Sequence, residues 1–359
     1  MMSELQSQLT ASGAPRVRTG LGRRRVVALG ALTCVAAAIA AVTLATLHII
    51  HLHSAPPPPA PAALHHHHPS AVAAAPISVS TAGRLSTAVA NSAAVALRGG
   101  GALLLGGLDS ANTAVAMLQS FNGSHTTNGG TLPAALSSAG AAVLDGSTYM
   151  FGGEGVSSPT TDIVSIASGG SATIIASLPQ PTSSAAVARV GGTAYIVGGS
   201  NGTADLYTIV SYTPNAGSQT VASLPQPLEG AAAATVNGEV YVIGGTDGNQ
   251  TLNTIYRFDP SSAKVTRAGT LPIALTDAAA ISLNGRILII GGSKNGAGDQ
   301  TRRIFGLAPS TGKVTQLGLL PIGLVGAAAV WAPSGILVLG GVQDDGQTSG
   351  TIYRIRVNG

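Results

Sequence analysis

The chain of 359 residues is 45% hydrophobic, yet only 3% aromatic and 9% charged, with a single cysteine. One thiol excludes a disulfide framework. The formal net charge of +4 belongs to the first 25 residues, and the remainder carries 13 basic and 13 acidic side chains, which gives no ground for nucleic-acid binding.

Residues 1–25 form a polar, basic tail, with Arg16, Arg18, Arg23, Arg24 and Arg25 against Glu4. Val26–Ile50 follows, 25 residues without Asp, Glu, Lys or Arg. About 20 such residues span a bilayer as a helix. Arginines directly before the run predict a cytoplasmic N-terminus and place the rest of the chain outside. The rival is a cleavable signal peptide, whose apolar core is about 7–15 residues long and is followed closely by a small-residue cleavage site. This run is longer, and the nearest Ala-rich site lies far downstream near Ala75. The expectation is a single-pass transmembrane helix over 26–50, kept as a signal-anchor.

Residues 51–75 read as a linker. Pro56–Pro59 favours extended polyproline II, and the surrounding alanines give nothing to bury. Seven of the eight histidines fall between His48 and His68. Such a tract can bind Zn²⁺ or Ni²⁺, but no cysteine or acidic ligand accompanies it, so it reads as biased low-complexity sequence. No metal and no cofactor is expected. Cys34, the lone cysteine, sits in the apolar run.

From residue 76 the chain repeats. Gly-Gly recurs at Gly106-Gly107, Gly152-Gly153, Gly198-Gly199, Gly244-Gly245, Gly291-Gly292 and Gly340-Gly341, in steps of 46, 46, 46, 47 and 49. Leu-Pro recurs at Pro133, Pro179, Pro225, Pro272 and Pro321, each 19 residues before a glycine pair. Two markers holding one offset five times point to a propeller of four-strand blades. The clearest copy has β-type runs over 231–236, 239–243, 253–258 and 264–269. Asn237-Gly238 joins the first two as a hairpin turn, and Asp259-Pro260 begins the turn into the fourth. The glycine pair ends the second run, where a crowded inner strand is expected to leave no room for a Cβ. Six pairs predict six blades. After the last pair only one strand fits, Thr351–Val357. Ser78–Leu85 aligns with Lys264–Leu271, with Val79 on Val265, Ala82 on Ala268 and Gly83 on Gly269. Strand 77–85 is therefore expected to pair with 351–357 and close the ring, which removes two open sheet edges.

The glycine pairs, the upstream Leu-Pro, the x-Tyr-x-x-Gly-Gly strands at Tyr149, Tyr195 and Tyr241, and the Tyr-x-Phe-Asp-Pro of Tyr256–Pro260 resemble the kelch repeat. The resemblance covers residues 76–359 and implies an all-β, six-bladed kelch-like β-propeller of the galactose oxidase central-domain type. It departs in one respect. Kelch repeats usually carry a Trp in the fourth strand, whereas Trp331 falls in a first strand.

The resemblance also implies a binding face, made by the loops after the glycine pairs and after Leu-Pro. The first set offers Asp109, Glu154, Asn201, Asp247 and Asn249, then Lys294, Asn295, Asp344 and Asp345. The second offers Ser137, Gln180, Ser183, Gln226, Glu229, Thr276 and Asp277. This face is polar, somewhat acidic and nearly free of arginine. No catalytic constellation stands out. The propeller has no cysteine and one histidine, His125, which excludes a multi-histidine metal site and leaves a Ser-His-Asp triad without support. Paired carboxylates remain, for example Glu229 with Asp277 or Asp247, which two acids on one face could use for acid–base chemistry on a sugar. The first expectation is an extracytoplasmic, non-catalytic interaction module for an envelope or extracellular protein or a cell-surface glycan. The alternative is a carbohydrate-binding or carbohydrate-processing propeller.

Overall fold

The computed structural model describes residues 77–295 and 298–357; the basic tail, apolar run and linker read over 1–75 lie outside the described residues. The described residues contain no helix, and so none long and apolar enough to cross a membrane. They form six four-stranded antiparallel sheets and one two-stranded ribbon.

Blade I is Ala93–Ala96, Ala102–Leu105, Met117–Phe121 and Thr126–Thr131; blade II runs from Gly140–Leu144 to Ala172–Ser177, and blade III from Ala186–Val190 to Gly217–Ser223. Blade IV runs from Ala232–Val236 to Lys264–Thr270, and blade V from Ala279–Leu283 to Lys313–Leu319. Blade VI takes Ala328–Ala332, Gly335–Leu339 and Thr351–Val357 from the end of the chain and Ile77–Arg84 from its start. The N-terminal strand pairs antiparallel with Thr351–Val357, from Ile77 opposite Val357 to Arg84 opposite Thr351.

A bulge marks that strand as the fourth of its blade. Ala82 is skipped in the ladder, as are Gly129, Ile175, Val221, Ala268 and Leu317 at the same point of the other five fourth strands. A bulge bends and twists a strand locally, and here it does so on the rim of every blade. The first strands of neighbouring blades pack side by side in a closed round about the axis.

The hydrophobic core is divided among the seams. Each of the six buried clusters joins two adjacent blades, for example Leu144, Phe151 and Ile163 of blade II with Ile196, Val210 and Tyr212 of blade III. The Tyr212 ring lies edge-on to Phe151 at 5.4 Å and tilted against Tyr149 at 5.6 Å. Burying each face of a blade against its neighbour explains why the second strands are apolar almost throughout. Asn237 and Gly238 both have positive φ (53° and 78°), the geometry of the tight hairpin turn.

The glycine pair has a more specific cause than crowding at an inner strand. Gly244 has φ +65°, and a Cβ there would stand 2.2 Å from the Leu275 carbonyl oxygen of blade V. The next residue, Gly245, donates its N–H to that same oxygen at 2.8 Å. The arrangement recurs at every seam. Gly107, Gly153, Gly199, Gly292 and Gly341 donate to the carbonyls of Leu136, Thr182, Leu228, Leu324 and Val89, at 2.7–2.9 Å. The last of these ties blade VI to the approach of blade I. The glycines are the places where one blade's backbone reaches the next.

Two outcomes test this account. Gly244→Ala is expected to destabilise the propeller well beyond Gly238→Ala in urea unfolding. Gly238 has nothing within 4 Å of its Cβ position, so its variant bears only the left-handed strain of about 1–2 kcal/mol. Removing Ile77–Arg84 leaves blade VI with three strands and an open edge, and a sharp drop in melting temperature is expected by calorimetry.

Candidate functional site

The glycine pairs, the Leu-Pro turns and the long loops share one end of the ring, called here the upper face; the tight hairpins share the lower face. At the centre of the upper face, just before each first strand, stand Asn91, Ser138, Ser184, Gly230, Asp277 and Gly326. All six have positive φ, between 51° and 65°. Each N–H donates to the carbonyl of the corresponding residue one blade back: Ser138 to Asn91, Ser184 to Ser138, Gly230 to Ser184, Asp277 to Gly230, Gly326 to Asp277 and Asn91 to Gly326, at 2.7–3.0 Å. The result is a closed ring of six backbone hydrogen bonds about the axis. Asn and Asp tolerate the left-handed region, and serine less so; strained backbone of this kind gathers at functional sites.

The ring surrounds a pit of about 420 Å³. Ser92, Ala139, Ala185, Ala231, Ala278 and Ala327 contribute to its wall, one residue from each blade. These alanines, each one residue before a first strand, keep the axis open rather than packing it shut. The polar wall is Asn91, Ser138, Ser184, Thr246 and Thr276 with two acids, Glu229 and Asp277, and no lysine or arginine. Ser92 is fixed by donating to Gly106 O at 2.8 Å. Thr276 Oγ1 reaches Asp277 Oδ2 at 3.1 Å and Gly230 O at 3.3 Å. Asp277 Oδ1 lies over Gly230, where a Cβ would stand 2.8 Å from it, and Asn91 lies over Gly326 in the same way.

Burial pushes both pit carboxyls above the usual carboxylate range. For Glu229 a Ser184 hydrogen bond opposes the rise, while neighbouring Asp205 and Asp277 add to it. For Asp277 burial is opposed by the Thr276 hydroxyl. Asp205 Oδ2 is buried beside Glu229, where a protonated Glu229 carboxyl would donate to it. The pit thus presents carboxyl groups disposed to hold protons, beside hydroxyls and an amide: donors and acceptors together, with no fixed cation. Among the described residues no group of three His, Cys, Asp or Glu side chains is placed to hold a metal ion. His125 lies in the blade I turn at the lower face, bonded through its N–H to Asn122 Oδ1.

The other loop residues singled out from the sequence stand outside the pit. Asn201 Oδ1 accepts the N–H groups of Thr203 and Ala204, and Asp247 Oδ1 those of Asn249 and Gln250. Asp109 and Asp345 close their loops likewise. Such turns satisfy backbone donors that the sheets leave free. Lys294 pairs with Asp299 at 2.8 Å, and Asn295 donates to the same carboxylate. Glu154 is tied through its backbone to Ser137, and Asp344 is exposed at a loop tip. Of the two acid pairs considered, Glu229 with Asp277 share the pit wall, and Asp247 is not part of it.

Sequence reasoning missed Asn91, Ser138, Ser184 and Asp205. A signal for the first three was present. The ring positions precede each glycine pair by 14 residues, 15 in blade I, and all are Asn, Ser, Asp or Gly. Asp205 has no such repeat. A larger groove of about 1060 Å³ opens low between blades I and II, beside Gly129, Gly130, Gly169 and Gly170.

Residues 227–272 match the family model described as Kelch motif. That copy of the repeat is a kelch motif. No curated protein matches the chain. Among solved structures, one described as "Structure of YjhT" is similar with a TM-score of 0.66 and 14% identity, over 76% of this chain and 99% of that one. At that identity the likeness is one of fold. The kelch segment contains blade IV entire, with Glu229 at its start.

The raised carboxyls set a pH dependence. In the folded chain Glu229 and Asp277 keep protons that the unfolded chain has released, so their contribution favours folding at low pH and is lost as pH rises through the raised values. The melting temperature is expected to decline above about pH 4, the ordinary carboxyl range. In Glu229→Gln/Asp277→Asn the decline flattens and the melting temperature at pH 7 is higher than in the parent.

Proposed function

We propose that this chain is a membrane-anchored, extracytoplasmic ligand-binding module, and that the axial pit receives a small hydroxylated group, neutral or cationic, such as the end of a cell-surface glycan. The observation that carries the reading is the convergence of Glu229 and Asp277 with Asn91, Ser138 and Ser184 in one pit without a basic residue. Hydroxyl-rich ligands match a wall of mixed donors and acceptors. An anionic sugar would meet two acids and no cation. The anchor rests on the 25-residue run Val26–Ile50 and the arginines before it.

A second reading, a propeller that processes carbohydrate, is favoured by one observation. Carboxyls whose proton affinity burial has raised are suited to general acid–base work. A protein partner gripped by the rim has its own support, since Val156 is 93% and Tyr207 53% exposed on the upper loops.

The test is a glycan array probed with the full chain, followed by calorimetry on the hits. Binding to neutral or amino-sugar termini is expected, weakened at least tenfold, about 1.4 kcal/mol, in Glu229→Gln and Asp277→Asn. Binding confined to acidic glycans, or unchanged in both variants, would sink the pit as the site. Conversion of a bound sugar, seen by proton NMR, would favour the processing reading over simple binding.

A further inference from the structure

The charges of the propeller balance in number but not in space. Among the described acids, Asp145, Glu239 and Asp259 are at the lower end of their blades, and the other ten are at the upper end. The bases lean the other way: Arg84, Lys294, Arg302 and Arg303 are at the upper end, and six exposed bases are at the lower end. Arg98 is in the lower hairpin of blade I, Arg189 at the lower end of the first strand of blade III, and Arg286 at the start of the second strand of blade V. Lys264 and Lys313 begin fourth strands at the same end, and Arg356 is one residue from the end of the last third strand. All six are exposed. Two of the three lower acids are engaged locally. Glu239 pairs with Arg257 at 3.4 Å, and Asp259 accepts from the hydroxyls of Ser261 and Ser262. The lower face is therefore net basic, and the upper face, with the pit, net acidic.

The lower face has a second property. Trp331, the only tryptophan of the chain, is at the lower end of the blade VI first strand and is 50% exposed. A half-exposed indole on a face that carries exposed bases is the composition of a membrane-interface surface, where the ring takes the headgroup level and the bases meet phosphate. The chain also enters the propeller at this end, because Ile77 is paired with Val357 at the lower edge of blade VI while Arg84 is at the upper edge. The apolar run Val26–Ile50 precedes that entry point by 26 residues.

We propose that the lower face of the propeller docks on an anionic lipid surface, its bases against the headgroups and Trp331 in the interface, so that the acidic pit faces away from the membrane. The choice of a lipid surface over another polyanion rests on the anchor reading of residues 26–50; the polarity of the two faces does not. Docking this way would hold the pit open to ligands approaching from outside.

The single tryptophan makes the test direct. The full chain is reconstituted into vesicles of phosphatidylcholine alone and of phosphatidylcholine with phosphatidylglycerol, each carrying brominated acyl chains that quench indole. Quenching at least twofold stronger in the anionic vesicles is expected, with loss of the difference at about 0.5 M salt and in Arg189→Glu/Arg286→Glu. Equal quenching in both vesicle types, or a difference insensitive to salt and to charge reversal, overturns the proposal. Vesicle flotation after a carbonate wash reads the anchor separately. If the chain fails to float, the anchor reading falls, and anionic vesicles are then added to the same chain from outside. A blue shift of Trp331 emission upholds docking, and no shift overturns it. An equal shift with heparin replaces the lipid with a general polyanion and also overturns it. A melting temperature unchanged from the parent confirms that the charge-reversed chain is folded.

Discussion

Every seam of this propeller depends on a glycine backbone reaching the carbonyl of the next blade. The N–H of the second glycine is bonded to that oxygen, and the first glycine leaves room for it to approach. A side chain at the first position would meet a backbone atom, which has no rotamer to escape into. Blades with so few aromatics could not be held by ring stacking alone. Six such contacts, each with a mainly aliphatic cluster at its seam, let a chain that is 3% aromatic close a ring. The final contact, Gly341 to Val89, needs the N-terminal strand in place just upstream, so sequence ends and ring closure are one constraint.

The site is a consequence of the same geometry. Six blades meeting at an axis bring six equivalent residues together, and the closed hydrogen-bond ring fixes their backbone in the left-handed region. That backbone selects Asn, Asp, Ser and Gly, which are also residues with short polar side chains or none. Small alanines below the ring leave a pit instead of a plug. A polar, preformed cavity at the axis thus follows from what the backbone allows, and the ring positions that carry side chains give it its chemistry. Glu229 is adjacent to the ring and adds a longer carboxyl that the neighbouring acids and the buried setting bias toward its protonated form.

Charge separation adds a direction to the molecule. The upper ends of the blades carry ten of the thirteen acids of the propeller, and six exposed bases stand at the lower end. The field of a protein depends on where its charges stand, so a neutral domain can present two unlike faces. Nothing in a net charge near zero reveals it.

The sequence by itself determined the architecture. The spacing of glycine pairs and Leu-Pro, the Asn-Gly hairpin and the match of Ser78–Leu85 to Lys264–Leu271 are local signals, and a repeat multiplies each of them. It also named Glu229 and Asp277 as a candidate pair because both fall in the loops after Leu-Pro, on one face. What only the tertiary structure decided is which polar loop residues meet. Asn201, Asp247 and Asp345 look like ligand groups along the chain but are spent on the turns of their own loops. Asn91, Ser138 and Ser184, 46 or more residues apart, become neighbours only when the ring closes. Distance across an axis is set by all six blades together, and no single repeat encodes it.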